Sequence, residues 1–225
     1  MLQFFKKYKY FGVTLLIISS VIISIIYSIL KPKKILPIYQ PAQVSTALVD
    51  STIQYKKKYH KIGNFKLVNQ NGDTITEATY DNKIYVADFF FTTCGTICPI
   101  MTKNMHSVQK AILMDKEVML ISHSVTPKID TVEQLKRYAK ANHVNSSKWN
   151  LVTGDKKQIY ELARKSYLAV KTNGDGGPFD MIHTENFILI DKEKRIRGFY
   201  DGTNLEDIDR LMGDISILKS SYIED

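Results

Sequence analysis

A chain of 225 residues suits one ordinary domain with a short appendage. Its net charge of +8 does not describe a nucleic-acid binder. Of the 31 Lys and Arg, six lie in residues 1–34, which hold no acids, so the rest is close to balanced against its 23 Asp and Glu. A nucleic-acid face needs a basic patch within the folded part, and that class is excluded.

Residues 10–30, "YFGVTLLIISSVIISIIYSIL", carry no charged side chain over 21 positions. As a helix, such a segment spans the ~30 Å hydrocarbon core of a bilayer. The run is longer than the ~7–15 residues of a signal-peptide core, and no small-x-small cleavage site follows it. No cysteine stands near its end to carry a lipid. The expectation is a retained single-pass anchor at 10–30 behind a tail at 1–9. Lys6, Lys7 and Lys9 precede the span, and Lys31, Lys33 and Lys34 follow it, so lysine counting leaves its orientation open. Residues 31–60 read as a tether. Pro32, Pro37 and Pro41 interrupt it, His60 reads as solvated, and Lys56, Lys57 and Lys58 read as a solvated or membrane-facing stretch.

A domain is expected over 61–225. "FKLVNQNGDTIT" reads as a hairpin around Asn71, Gly72 and Asp73. "KIYVADFFF" (83–91) is a continuous apolar run, as expected of a strand buried on both faces. A helix follows from about Pro99 to Met114, then a strand at 117–125. The next helix, 130–143, places Val132, Leu135, Tyr138 and Ala139 on one stripe. "WNLVTG", "DKKQIYELARKSY", "TENFILID", "RIRGFYDG" and a last helix from Asn204 to Leu218 complete the order β-hairpin, β, α, β, α, β, α, β, β, α. This alternation predicts an α/β sandwich with a central sheet covered on both faces.

Cys94 and Cys98 are the only cysteines. Pro99 belongs in the first turn of a helix, so Cys98 marks a helix start and Cys94 the loop leaving the buried strand. The positive end of a helix dipole favours thiolate, the form that attacks disulfides or binds metal. Three residues between the sulfurs permit a disulfide or a shared metal ion. Thiolates select Cu(I), Zn or iron–sulfur clusters, and two ligands alone are too few for a stable zinc or cluster site. Among the histidines, His123 near the end of the second central strand and His183 before "FILID" are the candidates for a further ligand. Met101 and Met105 share a helical face near the cysteines, and core packing is the reading for both.

The buried strand, "TTCGTICP", the helix, "SVTPKIDT" and a histidine preceding "FILID" resemble the SCO/SenC family of copper-delivery proteins over residues 62–218. The resemblance implies a thioredoxin-like fold with an added N-terminal β-hairpin. It implies Cys94, Cys98 and His183 as ligands of copper, as Cu(I) and also Cu(II). It further implies the copper-bearing subunit of cytochrome c oxidase, or another copper chaperone, as partner. That acceptor lies outside the cytoplasm, which orients the chain: amino terminus in the cytoplasm, domain on the periplasmic side of a bacterial inner membrane. Two positions depart from the pattern. Gly95 stands where the family commonly has proline, and Thr126 where it has aspartate.

Enzyme classes fare less well. The second glutathione-peroxidase motif, the peroxiredoxin proline and a Cys-x-x-Cys-His haem site are all missing from the sequence. The rival is a thiol–disulfide reductase working through the Cys94–Cys98 pair. Its usual loop has two residues between the cysteines and requires no distant histidine.

Overall fold

The computed structural model describes residues 8–30, 34–44, 52–170, 177 and 180–223. Most of the expected tail (1–7), two pieces of the expected tether (31–33 and 45–51) and most of the glycine-rich loop before His183 (171–176, 178 and 179) lie outside the described residues. The chain divides into two units, Met1–Ile35 and Leu36–Asp225. The first holds helix α1 (Lys9–Leu30), long and apolar enough over Tyr10–Tyr27 to cross a membrane by length and composition.

In the second unit, β1 (Lys66–Asn69) and β2 (Thr74–Thr76) form the expected hairpin, with Gly72 at φ +89° in its turn. A glycine suits that left-handed conformation because it has no Cβ to clash. Then follow β3 (Ile84–Phe90), α2 (Cys98–Ala111), β4 (Val118–Ser124), α3 (Val132–Ala141), β5 (Trp149–Thr153), α4 (Lys156–Glu161), β6 (Asn186–Ile190), β7 (Ile196–Asp201) and α5 (Leu205–Ser221). The sheet order is β2-β1-β5-β4-β3-β6-β7. β3, β4 and β5 run parallel, and β6 is antiparallel to β3. All seven residues of β3 are buried, which explains why it is apolar but for Asp88.

Each face of the sheet has its own core. On one, Ile84, Val86 and Phe90 pack with Cys98, Met101 and Met105 of α2 and with Leu211 and Ile215 of α5. On the other, Ala87 and Phe89 pack with Phe65, Ile159, Tyr160 and Tyr167. Burying each large apolar side chain contributes roughly 1.5–3 kcal/mol. Every residue of both cores, among the described residues, lies at Leu36 or beyond, so the unit from Leu36 onward carries what it needs to fold.

The structure differs from the sequence reading at the tether. Leu36 is buried in a core, Tyr39 bridges Ile196 of β7, and Arg197 donates to the carbonyls of Leu36 and Pro37 at 2.6 and 2.9 Å. The folded unit therefore begins near Leu36, because the proline-rich segment finds a partner along β7. His60 is a second correction. It is buried, and its Nε2–H donates to the Ser166 carbonyl at 2.7 Å.

Candidate metal centre

The dithiol loop leaves the carboxyl end of β3, and one carboxylate fastens its start. Asp130 is fully buried and accepts from the hydroxyls of Thr92 (2.5 Å), Ser124 (2.5 Å) and Thr126 (2.9 Å). The Thr92 amide donates to it as well, at 3.3 Å. Asp130 thus ties the loop to the end of β4, and charge-assisted bonds of this kind are the strong ones. Thr126, the departure from the family pattern, supplies a donor that an ionised aspartate cannot.

Cys98 is the first residue of α2, with Pro99 in the first turn as expected. Cys98 is buried, whereas Cys94 is half-exposed. The Cys98 amide donates to the Cys94 sulfur at 3.4 Å. Burial alone would raise the Cys94 thiol. The Cys98 thiol, the Thr96 and Cys98 amides and the Thr96 hydroxyl outweigh that effect and bring it down to about 7. Cys98 goes the other way: burial first, then the neighbouring Cys94 sulfur, pushes it up to about 12. The pair therefore comprises one accessible sulfur poised as thiolate and one buried thiol behind it.

His183 lies three residues before β6, exposed on a well-held segment. Upstream, Asp180 pairs with Arg164 at 2.7 Å, and its carbonyl accepts from Lys156 and Tyr160. Ile182 is buried, and Thr184 donates to the Ala169 carbonyl at 2.9 Å. The His183 ring stands edge-on to Phe91, centroids 5.9 Å apart. Phe91 directly follows β3, so the imidazole borders the same strand exit as the cysteines. Among the described residues, no three His, Cys, Asp or Glu side chains are gathered closely enough to hold a metal ion. The donor types of a soft-metal site are present, namely two thiols and one exposed imidazole.

The other candidates are enclosed. Met101 and Met105 are core residues, as expected. His123 is fully buried, stacked on Phe89 at 4.9 Å and edge-on to Tyr167 at 5.1 Å. Its Nδ1 lies 3.2 Å from the Asp88 carbonyl, which can only accept, so Nδ1 carries the proton. Nε2 has no partner among the described residues, and burial drives the His123 pKa down to about 4.

Sequence reasoning passed over Asp88. It sits inside fully buried β3, and its pKa rises to about 7 because burial outweighs the Ser122 hydroxyl and its own backbone amide. Its Oδ1 has no partner among the described residues. One acid within "KIYVADFFF" was the available signal, since a charged residue in a two-faced strand is costly unless it is neutral or paired.

A mixed sheet with a reactive dithiol between a central strand and the helix after it defines a thioredoxin-like thiol protein. The profile of the SCO1/SenC family matches residues 53–218, and the chain belongs to that family. It is 30% identical over 158 residues to the SCO1 protein homolog of Bacillus subtilis, covering 69% of this chain and 81% of that one. Its structure is similar to that of BsSco, described with its disulfide switch as a member of the Sco family of cytochrome c oxidase assembly proteins. The TM-score is 0.61 at 29% identity, over 71% of this chain and 93% of that one. It is also similar to Arabidopsis thaliana ScoI with copper bound, at a TM-score of 0.56 and 28% identity, over 70% of this chain and 98% of that one.

Proposed function

We propose that this chain is a membrane-anchored copper carrier that takes its cargo on Cys94, Cys98 and His183. The observation that carries the reading is the split dithiol: an accessible sulfur near pKa 7 faces a buried one across a helix start. His183 beside Phe91 supports it as third donor. Cys94 binds an incoming cuprous ion first, because it is accessible and about half thiolate at neutral pH. Cys98 releases its proton on binding, and metal affinity therefore rises with pH. An exposed imidazole gives way readily to a partner's ligand, which suits delivery over storage. The acceptor is the copper-bearing subunit of cytochrome c oxidase or another copper chaperone. Helix α1 anchors the chain in a bacterial inner membrane, amino terminus in the cytoplasm and the folded unit on the periplasmic side. Cu(II) is a second cargo form.

The test is a Cu(I) titration of the reduced unit, residues 36–225, against a competing chelator. One tightly held equivalent, weakened by His183→Ala and abolished by Cys94→Ser, is expected. Negligible binding, or binding untouched by all three ligand substitutions, overturns the carrier reading.

The second reading, a thiol–disulfide reductase, is favoured by the same split. The Cys94 thiolate attacks an acceptor disulfide and expels one sulfur as thiolate. Cys98 then attacks the Cys94 sulfur, releasing the second acceptor thiol and leaving a Cys94–Cys98 disulfide. Stoichiometric reduction of oxidised acceptor cysteines in the absence of copper would select it.

A further inference from the structure

The turn between β6 and β7 lies at the opposite end of the sheet from the dithiol loop. β6 runs antiparallel to β3, with Ile190 beside Tyr85, so residues 191–195 extend past the start of β3. Cys94 lies past its end. The seven residues of β3 separate the two ends, roughly 23 Å at the usual strand rise.

At that far end opens a cavity of about 330 Å³ with Lys57, Lys58, Lys61 and Arg195 in its wall. Glu193 is the carboxylate there, and it is already held by Arg195 at 2.6 Å and by the Tyr222 hydroxyl. Arg195 is further committed to Asp191 at 2.7 Å. Lys57, Lys58 and Lys61 are exposed and have no ion-pair partner among the described residues. The concavity therefore offers three uncompensated ammonium groups.

Exposed apolar side chains stand in the same wall. Tyr59, in the wall, is 92% exposed at φ +66°, and Tyr55 is 73% exposed. A non-glycine residue in the left-handed region costs roughly 1 kcal/mol, here incurred for a side chain that packs on nothing. Ile38, also in the wall, is exposed too. Tyrosines beside lysines are the composition of a bilayer interface, where the ring enters the headgroup layer and the ammonium meets phosphate. In sequence, only five residues separate Leu30, the last of α1, from Leu36, the first of the folded unit.

We propose that this pocket binds the phosphate of an anionic phospholipid headgroup, with Tyr59 and Ile38 entering the interface. The folded unit then docks on the bilayer by the end of its sheet opposite the dithiol, which faces away toward partners. The inference rests on the reading of α1 as a membrane anchor and is independent of the copper reading.

The test sediments residues 36–225 with vesicles of phosphatidylcholine alone, or of equal parts phosphatidylcholine and phosphatidylglycerol. Binding is expected for the mixed vesicles only, falling as salt is raised. The double variant Lys57→Glu/Lys61→Glu should lower partitioning more than tenfold with an unchanged melting temperature, given the weight of each basic residue near an anionic surface. Lys136→Glu, on the exposed face of α3, should change it less than about twofold. Absence of binding to mixed vesicles, or an equal loss in the Lys136 variant, overturns the pocket. Micromolar binding of glycerol phosphate by itself assigns the pocket to a soluble anion and overturns the docking. Failure of the anchor reads out separately, as full-length chain in the soluble fraction after alkaline extraction of membranes.

Discussion

The amide of Cys98 points at the sulfur of Cys94 across 3.4 Å, so the first turn of α2 solvates one cysteine with the backbone of the other. This contact, together with the Cys98 thiol and the Thr96 amide, lowers one thiol, while burial raises the other.

In the metal-free reduced protein, iodoacetamide should therefore alkylate Cys94 first. A lowered pKa of about 7 means the rate rises with pH through about 7 and flattens above it. Cys98, buried and pushed up to about 12, should lag by orders of magnitude over the same range. Peptide mapping after partial labelling reads the ratio, and equal labelling at neutral pH would contradict the asymmetry.

Asp88 and His123 should tilt stability in opposite directions with pH. The folded pKa of Asp88 is raised, to about 7, so its favourable contribution is full below the unfolded value of 3.8 and is lost as pH rises through 7. The folded pKa of His123 is depressed, to about 4, so its contribution is full above 6.5 and is lost as pH falls through 4. Between those limits the two slopes, each about 1.4 kcal/mol per pH unit, nearly cancel. Asp88→Asn should leave stability rising with pH from about 4 to 6.5, and His123→Phe should leave it falling. Urea midpoints measured across that window decide the matter, and parallel profiles for both variants would refute it.

Removing the hub beneath the dithiol loop should be severe. Asp130→Ala strands the Ser124 and Thr92 hydroxyls, with an expected loss of about 3 kcal/mol or more in urea unfolding. Thr126→Val deletes a single bond to that hub and should lose about 1 kcal/mol. Similar losses for the two variants would mean that the hub does not act as a unit.

His183→Ala should leave folding almost untouched, within about 0.5 kcal/mol, because the ring is exposed. The same variant should weaken Cu(I) retention while leaving Cys94 alkylation unchanged. A thermal melt beside a chelator competition separates the two effects, and unchanged retention would remove His183 from the ligand set.

Much of this was legible in the sequence because period and punctuation are local signals. The mostly apolar run 83–91, the turn at Gly72 and Pro99 at a helix start each mark their own element, and β3, the hairpin and α2 fall there. What was not legible depends on distant partners. Nothing local in β1 says that Val68 and Asn69 will lie beside Thr153 and Val152 of β5. Pro37 and Pro41 look like a spacer until Arg197 reaches back for the carbonyls of Leu36 and Pro37. His60 follows three lysines and a tyrosine, yet Ser166 draws it inward. Around the cysteines, spacing conveyed the chemistry, whereas the inequality of the two thiols comes from hydrogen bonds to Cys94 and burial of Cys98.

The two borders of the sheet have a consequence for how this protein meets others. At one border stands β2, only three residues long. At the other, the Tyr39 amide bonds to the Ile196 carbonyl at 2.9 Å and Arg197 fastens the preceding segment alongside. Long unpaired strands invite polymerisation and strand-lending between chains. With one border cut short and the other partly covered, a visiting protein finds little backbone to zip onto. Its encounter runs through loops and side chains, and such contacts separate as readily as they form.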